Sequence, residues 1–352
     1  MARFYGDGMT KTTQPRVSVL MPAYNAADFI VPAIASILAQ EFTAFRLIIL
    51  NDGSTDDTAQ IINSFALLDK RIQVLVNIEK TGILAARDRL LAAVETEYFA
   101  WMDADDISTP DRLRKQVSFL DQNPDIDAVG GAWTILGTDR VTTPYRDPEE
   151  LKAAMLVSNP FHNPVMMLRS TSAKALSFRF VDCGVKSASD FAFVTLLNQS
   201  GRFSTLSDVL YLYRVHPSQE STANAAVQRA SLKMLMRRQF ERHGVSIPGF
   251  AENAVRTFAD EYASREQIIA IAKVYKELIV RNRQARWYNQ RFLIKHLGIS
   301  LKRMCVPHGC NGVLLFARYF GVIEIFRGKK YGLAFLLDCL KARNTATELN
   351  AI

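Results

Sequence analysis

Cysteine is scarce in this chain: Cys183, Cys305, Cys310 and Cys339 are the only four in 352 residues. They are too few and too unevenly placed for a disulfide framework, which favours a reducing, cytoplasmic setting. Long apolar runs are missing too. Nowhere do about 18 uncharged apolar residues follow one another, so no transmembrane helix is expected. The opening MARFYGDGMTKTTQPR lacks the apolar h-region of a secretory signal. No internal repeat or low-complexity tract stands out. What the chain does have is material for a core: 49% of its residues are hydrophobic and 22% charged. That suits one large domain with a smaller appendage and excludes wholesale disorder.

The net charge of +8 is unevenly spread. Residues 1–225 carry 21 Lys and Arg against 26 Asp and Glu, a net −5, whereas residues 226–352 carry 22 against 9, a net +13. Basic character confined to the tail suits an anionic membrane surface or an acidic acceptor. It is also the only feature that would suit nucleic acid, and nothing in residues 1–225 supports that use, so no nucleic-acid partner is expected.

Val17–Met21 reads as a short strand followed by Pro22-Ala23-Tyr24-Asn25, and Ala27–Gln40 carries apolar residues at helical spacing. Phe45–Leu50 is a continuous apolar run, as in a strand covered on both faces. It ends in NDGSTD (51–56), whose glycine permits a tight turn ahead of a helix over Asp57–Leu68. Ile72–Val76, Ile83–Val94 and Tyr98–Met102 continue as strand, helix and strand, the last running into Asp103-Ala104-Asp105-Asp106. This alternation predicts an α/β fold with a mostly parallel sheet flanked by helices and right-handed crossovers. Ligands collect at the carboxyl ends of such strands, and PAYN, NDGSTD and DADD all fall at those ends.

Beyond Pro110 a helix is expected over Asp111–Leu120, strand-like pieces over Ala128–Leu136 and Val165–Leu168, a helix over Phe191–Asn198 and a last strand over Leu206–Arg214. From about Ala225 the pattern is helical almost throughout, over 227–243, 250–263, 266–281 and 287–297. The chain thus divides into a loose tail (1–15), an α/β domain (16–221) and a basic, mainly helical region (222–352).

Three carboxylates in four residues repel one another, and such a cluster calls for a cation or a dense set of donors. A hard divalent ion, Mg²⁺ or Mn²⁺, suits these oxygens and would share its coordination with a substrate diphosphate. An acidic turn capping the next helix is the alternative. Asp52, closing the second strand, can accept from a nucleobase N–H or a ribose hydroxyl, and Tyr24 offers an aromatic face. Taken singly, each is equally at home as a turn former or a rim aromatic.

In order and spacing, VSVLMPAYNAADFI, LIILNDGSTDDT, the GxxxAR element from Gly82 to Arg87 and FAWMDADDI resemble the family-2 glycosyltransferases, inverting enzymes of the GT-A fold. Weaker matches in NPFHNPVMMLR (159–169), ASDFAF (188–193) and YRVHPSQES (213–221) carry the resemblance to about residue 221. It implies a nucleotide-sugar site. Pro22, Ala23, Tyr24 and Asn25 would line the nucleobase side, and Asp52 would hold base or ribose. Lys80, Gly82 and Arg87 would lie near the base and diphosphate, Asp103 with Ala104 would meet the ribose, and Asp105 would ligate Mn²⁺ or Mg²⁺. His216 matches a histidine that in some members reaches the metal or diphosphate, and His162 a position near the acceptor pocket; each is equally readable as a structural histidine.

Asp190, in Ala-Ser-Asp-Phe, matches the family's acidic position at a helix start. A carboxylate there takes the acceptor hydroxyl's proton during attack opposite the leaving nucleotide. It is the only carboxylate between Asp182 and Asp208; an N-cap is the alternative role. The chain departs from the family in three places. Ser189-Asp190 replaces a common Glu-Asp pair, Asn51 replaces a common Asp, and Asp88 replaces the usual Asn, setting a negative charge near the phosphate side.

The resemblance therefore implies metal-dependent inverting transfer from a nucleotide-sugar, a UDP-sugar by default. The acceptor would be a hydroxyl of a glycan or lipid-linked glycan in cell-surface polysaccharide biosynthesis. Family acceptors are often lipid-linked, so peripheral contact of residues 226–352 with the cytoplasmic face of the inner membrane is one reading of the basic tail. Amphipathic helices packing on the catalytic domain are the equal alternative. A nucleotidyltransferase is the alternative enzyme, but its glycine-rich, lysine-bearing signature is missing after Val17–Met21. A noncatalytic nucleotide-sugar-binding protein is the other alternative, and Asp103, Asp105 and Asp190 argue against it. Cys305-Val-Pro-His308-Gly-Cys310 offers three soft ligands, one short of a structural zinc site, and is read as a turn between helices.

Overall fold

The computed structural model describes residues 14–142, 145, 147–159, 163–200, 202–219, 222, 224–249, 251, 263–321 and 335–339. His162 and most of the helix expected over 250–263 lie outside the described residues. Two compact units form. Met1–Thr142, Asn163–Asp182 and Asp208–Val215 make the first, and Thr143–His162, Cys183–Ser207 and His216–Ile352 the second.

In the first unit, β1 (Val17–Ala23), β2 (Phe45–Asp52), β3 (Ile72–Asn77) and β4 (Tyr98–Trp101) pair in parallel in the order β3-β2-β1-β4. All of β1 but Pro22 and all of β2 but Arg46 are buried, which is why both read as unbroken apolar runs. Helices α1 (Ile30–Leu38), α2 (Thr58–Leu68) and α3 (Ile83–Ala92) connect them. Ile30, Ala33, Ile34 and Ile37 form the buried face of α1 at helical spacing. The chain builds outward from β1 through β2 to β3, then returns to lay β4 on the other flank of β1. The order of strands reverses there, and at such a reversal the carboxyl ends open into a crevice.

Beyond β4 the sheet becomes antiparallel. β5 (Ile107–Ser108), β6 (Ala128–Ile135), β7 (Met167–Arg169) and β8 (Phe203–Tyr213) complete eight strands in the order β3-β2-β1-β4-β7-β6-β8-β5. β7 runs against β4 and β6, and β5 against β8. Strand direction is set by these long-range pairings, so the pattern along the sequence defines only the parallel half.

Helix α4 (Arg112–Gln122) buries Arg112, Leu113, Gln116, Val117 and Leu120. Arg112 is wholly buried. Its Nη2 donates to the carbonyls of Trp101 at 2.9 Å and Pro164 at 2.7 Å, and its Nε to Gln116 Oε1 at 3.1 Å. Gln116 Nε2 in turn donates to the carbonyls of Val129 at 3.2 Å and Val165 at 2.6 Å. One Arg-Gln pair therefore satisfies backbone acceptors at the end of β4, in β6 and in the segment before β7, where strand ladders leave them open. Burial pushes the Arg112 guanidinium down to about 10, still charged at neutral pH. Helix α6 (Ser170–Ala175) follows β7.

The second unit is helical: α5 (Pro148–Ala154), α7 (Ser189–Ser200), α8 (Ala225–Glu241), α9 (Arg265–Ala285), α10 (Gln290–Cys305) and α11 (Gly309–Phe320). Ser264 and Gln267 close a capping box at the start of α9. Phe240 stacks on Tyr275 at 5.8 Å, and Leu278, Leu293, Leu297 and Leu301 are buried. Glu150 of α5 pairs with Lys295 and His296 of α10. The Cys305–Cys310 segment is a turn, with a 3-10 helix at Val306–His308, and His308 Nε2 meets the Ala263 carbonyl at 2.7 Å. No described helix is long and apolar enough to cross a membrane.

Arg112→Gln should strip the Trp101 and Pro164 carbonyls of their donor and cost about 3 kcal/mol or more in denaturant unfolding. Arg114→Gln, which removes an exposed guanidinium paired with Glu41, should leave the midpoint nearly unchanged. Equal midpoints for the two variants would contradict the anchoring role of Arg112.

Candidate active site

The loops after β1 and β2 are stitched into one surface. Asn25 takes φ 46°. Its N–H donates to Ser54 Oγ at 3.1 Å, and its Oδ1 accepts from Thr55 N at 2.9 Å. Ala26 N–H donates to Thr58 Oγ1 at 2.8 Å and Ala27 N–H to Asp56 Oδ2 at 3.1 Å. Ser54 N–H donates to Asn51 Oδ1 at 3.1 Å, so Asn51 serves as the acceptor that closes its own turn. Gly53 has φ 68°, and a Cβ there would lie 2.7 Å from the backbone of Glu79 and Lys80. Only glycine lets these segments approach so closely. On the other flank, the β1–β4 ladder ends at Leu20–Trp101, and the Leu20 carbonyl accepts from Met102 N. Alternation turns Pro22 toward β4 as well. Its missing N–H therefore falls where the crevice opens.

Asp52 is 3% exposed. Oδ1 accepts from Asn77 Nδ2 at 2.7 Å, Thr81 N at 2.9 Å and Thr81 Oγ1 at 2.8 Å, and Oδ2 from Gly82 N at 2.8 Å. Burial works to raise its pKa, but these donors, led by the Asn77 amide, hold it below the usual 3.8. The carboxylate thus shapes the 77–82 loop, with spare acceptor capacity on Oδ2. Gly82, at φ 89°, is the residue from which α3 starts. Lys80 Nζ stands 3.7 Å from the centre of the half-exposed Tyr24 ring, a cation–π contact that brings two expected site residues together. Ala23 and Ala104 are buried.

Arg87 reaches the Trp101 and Phe180 rings, each 5.8 Å from its guanidinium carbon. Its neighbour Asp88 accepts from Phe180 N at 2.6 Å and Val181 N at 3.1 Å. The charge that departs from the family pattern is therefore met by backbone donors.

Asp103, Asp105 and Asp106 each bring a carboxylate oxygen within 4.8 Å of the others. They are not equivalent. Asp106 is 1% exposed and its Oδ1 accepts from Arg214 N at 2.7 Å, while Asp103 and Asp105 are half-buried. Arg214 Nε donates to the Asp105 carbonyl at 2.8 Å, and Asp103 N–H donates to Tyr211 Oη at 3.1 Å. Burial, with Asp106 and Asp103 adding to it, pushes the Tyr211 phenol well above its usual range, so it stays neutral. The Arg112 guanidinium lies 5.4 Å from the Tyr211 ring centre. Hard oxygen donors this close fit Mg²⁺ or Mn²⁺. Reading along the chain missed Arg112, Tyr211 and Arg214 as supports of this loop. Arg112 shares a helical face with Leu113, Val117 and Leu120, and that spacing was the available signal.

Asp190 and His216 belong to the second unit. Asp190 sits half-buried in the first turn of α7, and its carboxylate makes no hydrogen bond or ion pair among the described residues. Two residues earlier, Ala188 takes φ 55°, a strained value for a residue with a Cβ. His216 begins a turn, with Nδ1 2.9 Å from Ser218 Oγ and its N–H on Gln219 Oε1 at 3.1 Å.

The profile of Glycosyl transferase family 2 matches residues 18–183. An uncharacterized glycosyltransferase of Haemophilus influenzae is 31% identical over 235 residues, 63% of this chain and 72% of that protein. The Escherichia coli UDP-Glc:alpha-D-GlcNAc-diphosphoundecaprenol beta-1,3-glucosyltransferase WfgD is 29% identical over 143 residues, 41% of this chain and 55% of that protein. Among solved structures, S. aureus TarS 1-349 in complex with UDP-GlcNAc matches with TM-score 0.55 and 18% identity, covering 90% of this chain and 92% of that one. Mannosyltransferase PcManGT from Pyrobaculum calidifontis, in complex with GDP-Man and Mn²⁺, matches with TM-score 0.53 and 17% identity over 93% and 86%. The fold is that of the GT-A glycosyltransferases, and the chain belongs to glycosyltransferase family 2.

The lowered pKa of Asp52 has a consequence for stability. Its contribution is fully present above the unfolded value near 3.8 and is lost as pH falls through the lower folded value. Asp52→Asn should cost about 2 kcal/mol at pH 7, and the gap to wild type should close as pH drops below 3.8. A gap constant with pH in urea unfolding would contradict it.

Proposed function

We propose that this glycosyltransferase is a metal-dependent inverting enzyme. It transfers a sugar from a nucleotide-sugar, a UDP-sugar by default, to a hydroxyl of a glycan or lipid-linked glycan in cell-surface polysaccharide assembly. The observation that carries the reading is the convergence of the PAYN, NDGSTD and DADD loops at the β1–β4 reversal, with three carboxylate oxygens within 4.8 Å of one another. Support comes from WfgD, named for UDP-Glc and a diphosphoundecaprenol-linked substrate, and from the mannosyltransferase that holds GDP-Man and Mn²⁺.

In this reading Tyr24, with Pro22, Ala23 and Asn25, lines the nucleobase side, and Asp52 offers Oδ2 to base or ribose. Lys80, Gly82 and Arg87 serve the base and diphosphate, and Asp103 with Ala104 the ribose. Asp105 and His216 hold Mn²⁺ or Mg²⁺, which when bound offsets charge on the departing diphosphate. Asp190 takes the proton of the acceptor hydroxyl as that oxygen attacks the anomeric carbon opposite the nucleotide. Its lack of a partner among the described residues suits a group that must accept a proton. His162 is assigned to the acceptor side. Residues 16–221 form the catalytic domain, and within the basic 222–352 region residues 226–352 contact the anionic cytoplasmic face of the inner membrane.

A donor screen on purified protein should give nucleotide release only with Mn²⁺ or Mg²⁺, and Asp105→Ala should abolish it. Full turnover in excess EDTA would remove the metal from the mechanism. Asp190→Asn should keep nucleotide affinity while lowering transfer roughly 10²–10⁴-fold. A product anomer with the donor's configuration would rule out inversion.

A further inference from the structure

The second unit contains an open cleft that the transfer reaction, as read above, does not use. Helix α9 ends at Arg286 in the left-handed region, φ 53°, and the chain turns at once into α10. The turn borders a cleft of about 460 Å³, lined chiefly by Glu149, Asn282, Arg283, Arg286, Tyr288 and Gln290. Its floor is fixed. Asn282, 1% exposed, donates from Nδ2 to the Tyr288 carbonyl at 2.9 Å and to Gln290 Oε1 at 2.7 Å, and accepts from Tyr288 N at 2.9 Å. Asn289 Oδ1 caps α10 by accepting from Arg291 N at 3.1 Å.

The walls are cationic. Arg283 and Arg286 are exposed, and their side chains make no hydrogen bond or ion pair among the described residues. Behind them Tyr288 Oη meets His243 Nε2 at 2.9 Å, and Lys152 Nζ lies 5.6 Å from the Tyr288 ring centre. Burial, then Lys152 and Arg242, push His243 down to about 4. Among the described residues, Glu149 is the single carboxylate lining the cleft. Two unpaired guanidinium groups over a prearranged turn select a planar or tetrahedral oxyanion over a neutral hydroxylated ligand.

We propose that this cleft binds an oxyanion, phosphate or carboxylate, borne on a saccharide chain. That the anion sits on a saccharide rests on the acceptor class proposed above; the binding of an anion does not. The test is calorimetric titration of the nucleotide-free full chain with inorganic phosphate and with three saccharides of equal length: neutral, phosphate-bearing and uronate-bearing. Phosphate binding without saccharide binding would leave the anion site standing and remove the acceptor class. An anionic saccharide should bind and the neutral one should not, and the phosphate and uronate arms identify the source of the charge. Arg283→Gln/Arg286→Gln should weaken binding at least roughly tenfold, the effect of one lost charge-assisted hydrogen bond, and Glu149→Gln should tighten it. Lys273→Gln/Lys276→Gln, which takes the same charge from exposed positions on α9, should leave it unchanged. Circular dichroism checks the fold of each variant. UDP affinity, measured first, tests the nucleotide reading separately. Equal binding of the neutral saccharide, no binding of any anion, inorganic phosphate included, or equal weakening by the lysine pair would overturn the proposal.

Discussion

A buried guanidinium underlies the site. Arg112 gives its donors to the Trp101 and Pro164 carbonyls and lies against the Tyr211 ring, while Tyr211 Oη receives the Asp103 N–H. Burying a cation is costly unless acceptors and opposite charge compensate it. Here the Trp101 carbonyl at the end of β4 and the Pro164 carbonyl before β7 supply the first, and Asp103 a share of the second. The relation is reciprocal, since carboxylates crowded at a strand end repel and a fixed cation behind them lowers that cost. Arg214 completes the support by engaging Asp106 and the Asp105 carbonyl, which turns Asp106 inward and leaves Asp103 and Asp105 as the partly exposed members.

The second constraint is topological. Once β4 is laid on the opposite flank of β1 from β2, the loops after β1, β2 and β4 must share one crevice. The side chains then make that crevice rigid. Asn25, Asn51, Asp52 and Asp56 are all acceptors for neighbouring N–H groups, so the polar residues that look like ligand groups in the sequence also build the walls. A prearranged polar wall costs little reorganisation when charge develops on a bound ligand.

The parallel half of the sheet was legible because buried strands are apolar runs and their connecting helices repeat at 3.6 residues, as α1 does through Ile30, Ile34 and Ile37. Strand β7, three residues long, overlaps the strand-like piece expected over Val165–Leu168, but its place between β4 and β6 was not legible, since partners distant in the chain decide it. The motif residues were legible as a set and ambiguous one by one. Asp52 read as a ligand contact, yet its four protein donors are visible only once the 77–82 loop folds back. Asp88 reads as a charge near the phosphate side, and its acceptance of the Phe180 and Val181 N–H groups is visible only in the fold. Arg112 sits in DRLRK beside the exposed Arg114 and the half-buried Lys115, and composition alone cannot separate a buried arginine from cations nearer the surface.

The most direct measurement is anomalous diffraction from manganese in crystals grown with UDP. The proposed function predicts a manganese peak against the Asp105 carboxylate, at the carboxyl ends of β1 and β4, with the uracil beside Tyr24. A manganese peak away from residues 103–106, or UDP bound elsewhere with Asp105 uncoordinated, would contradict it.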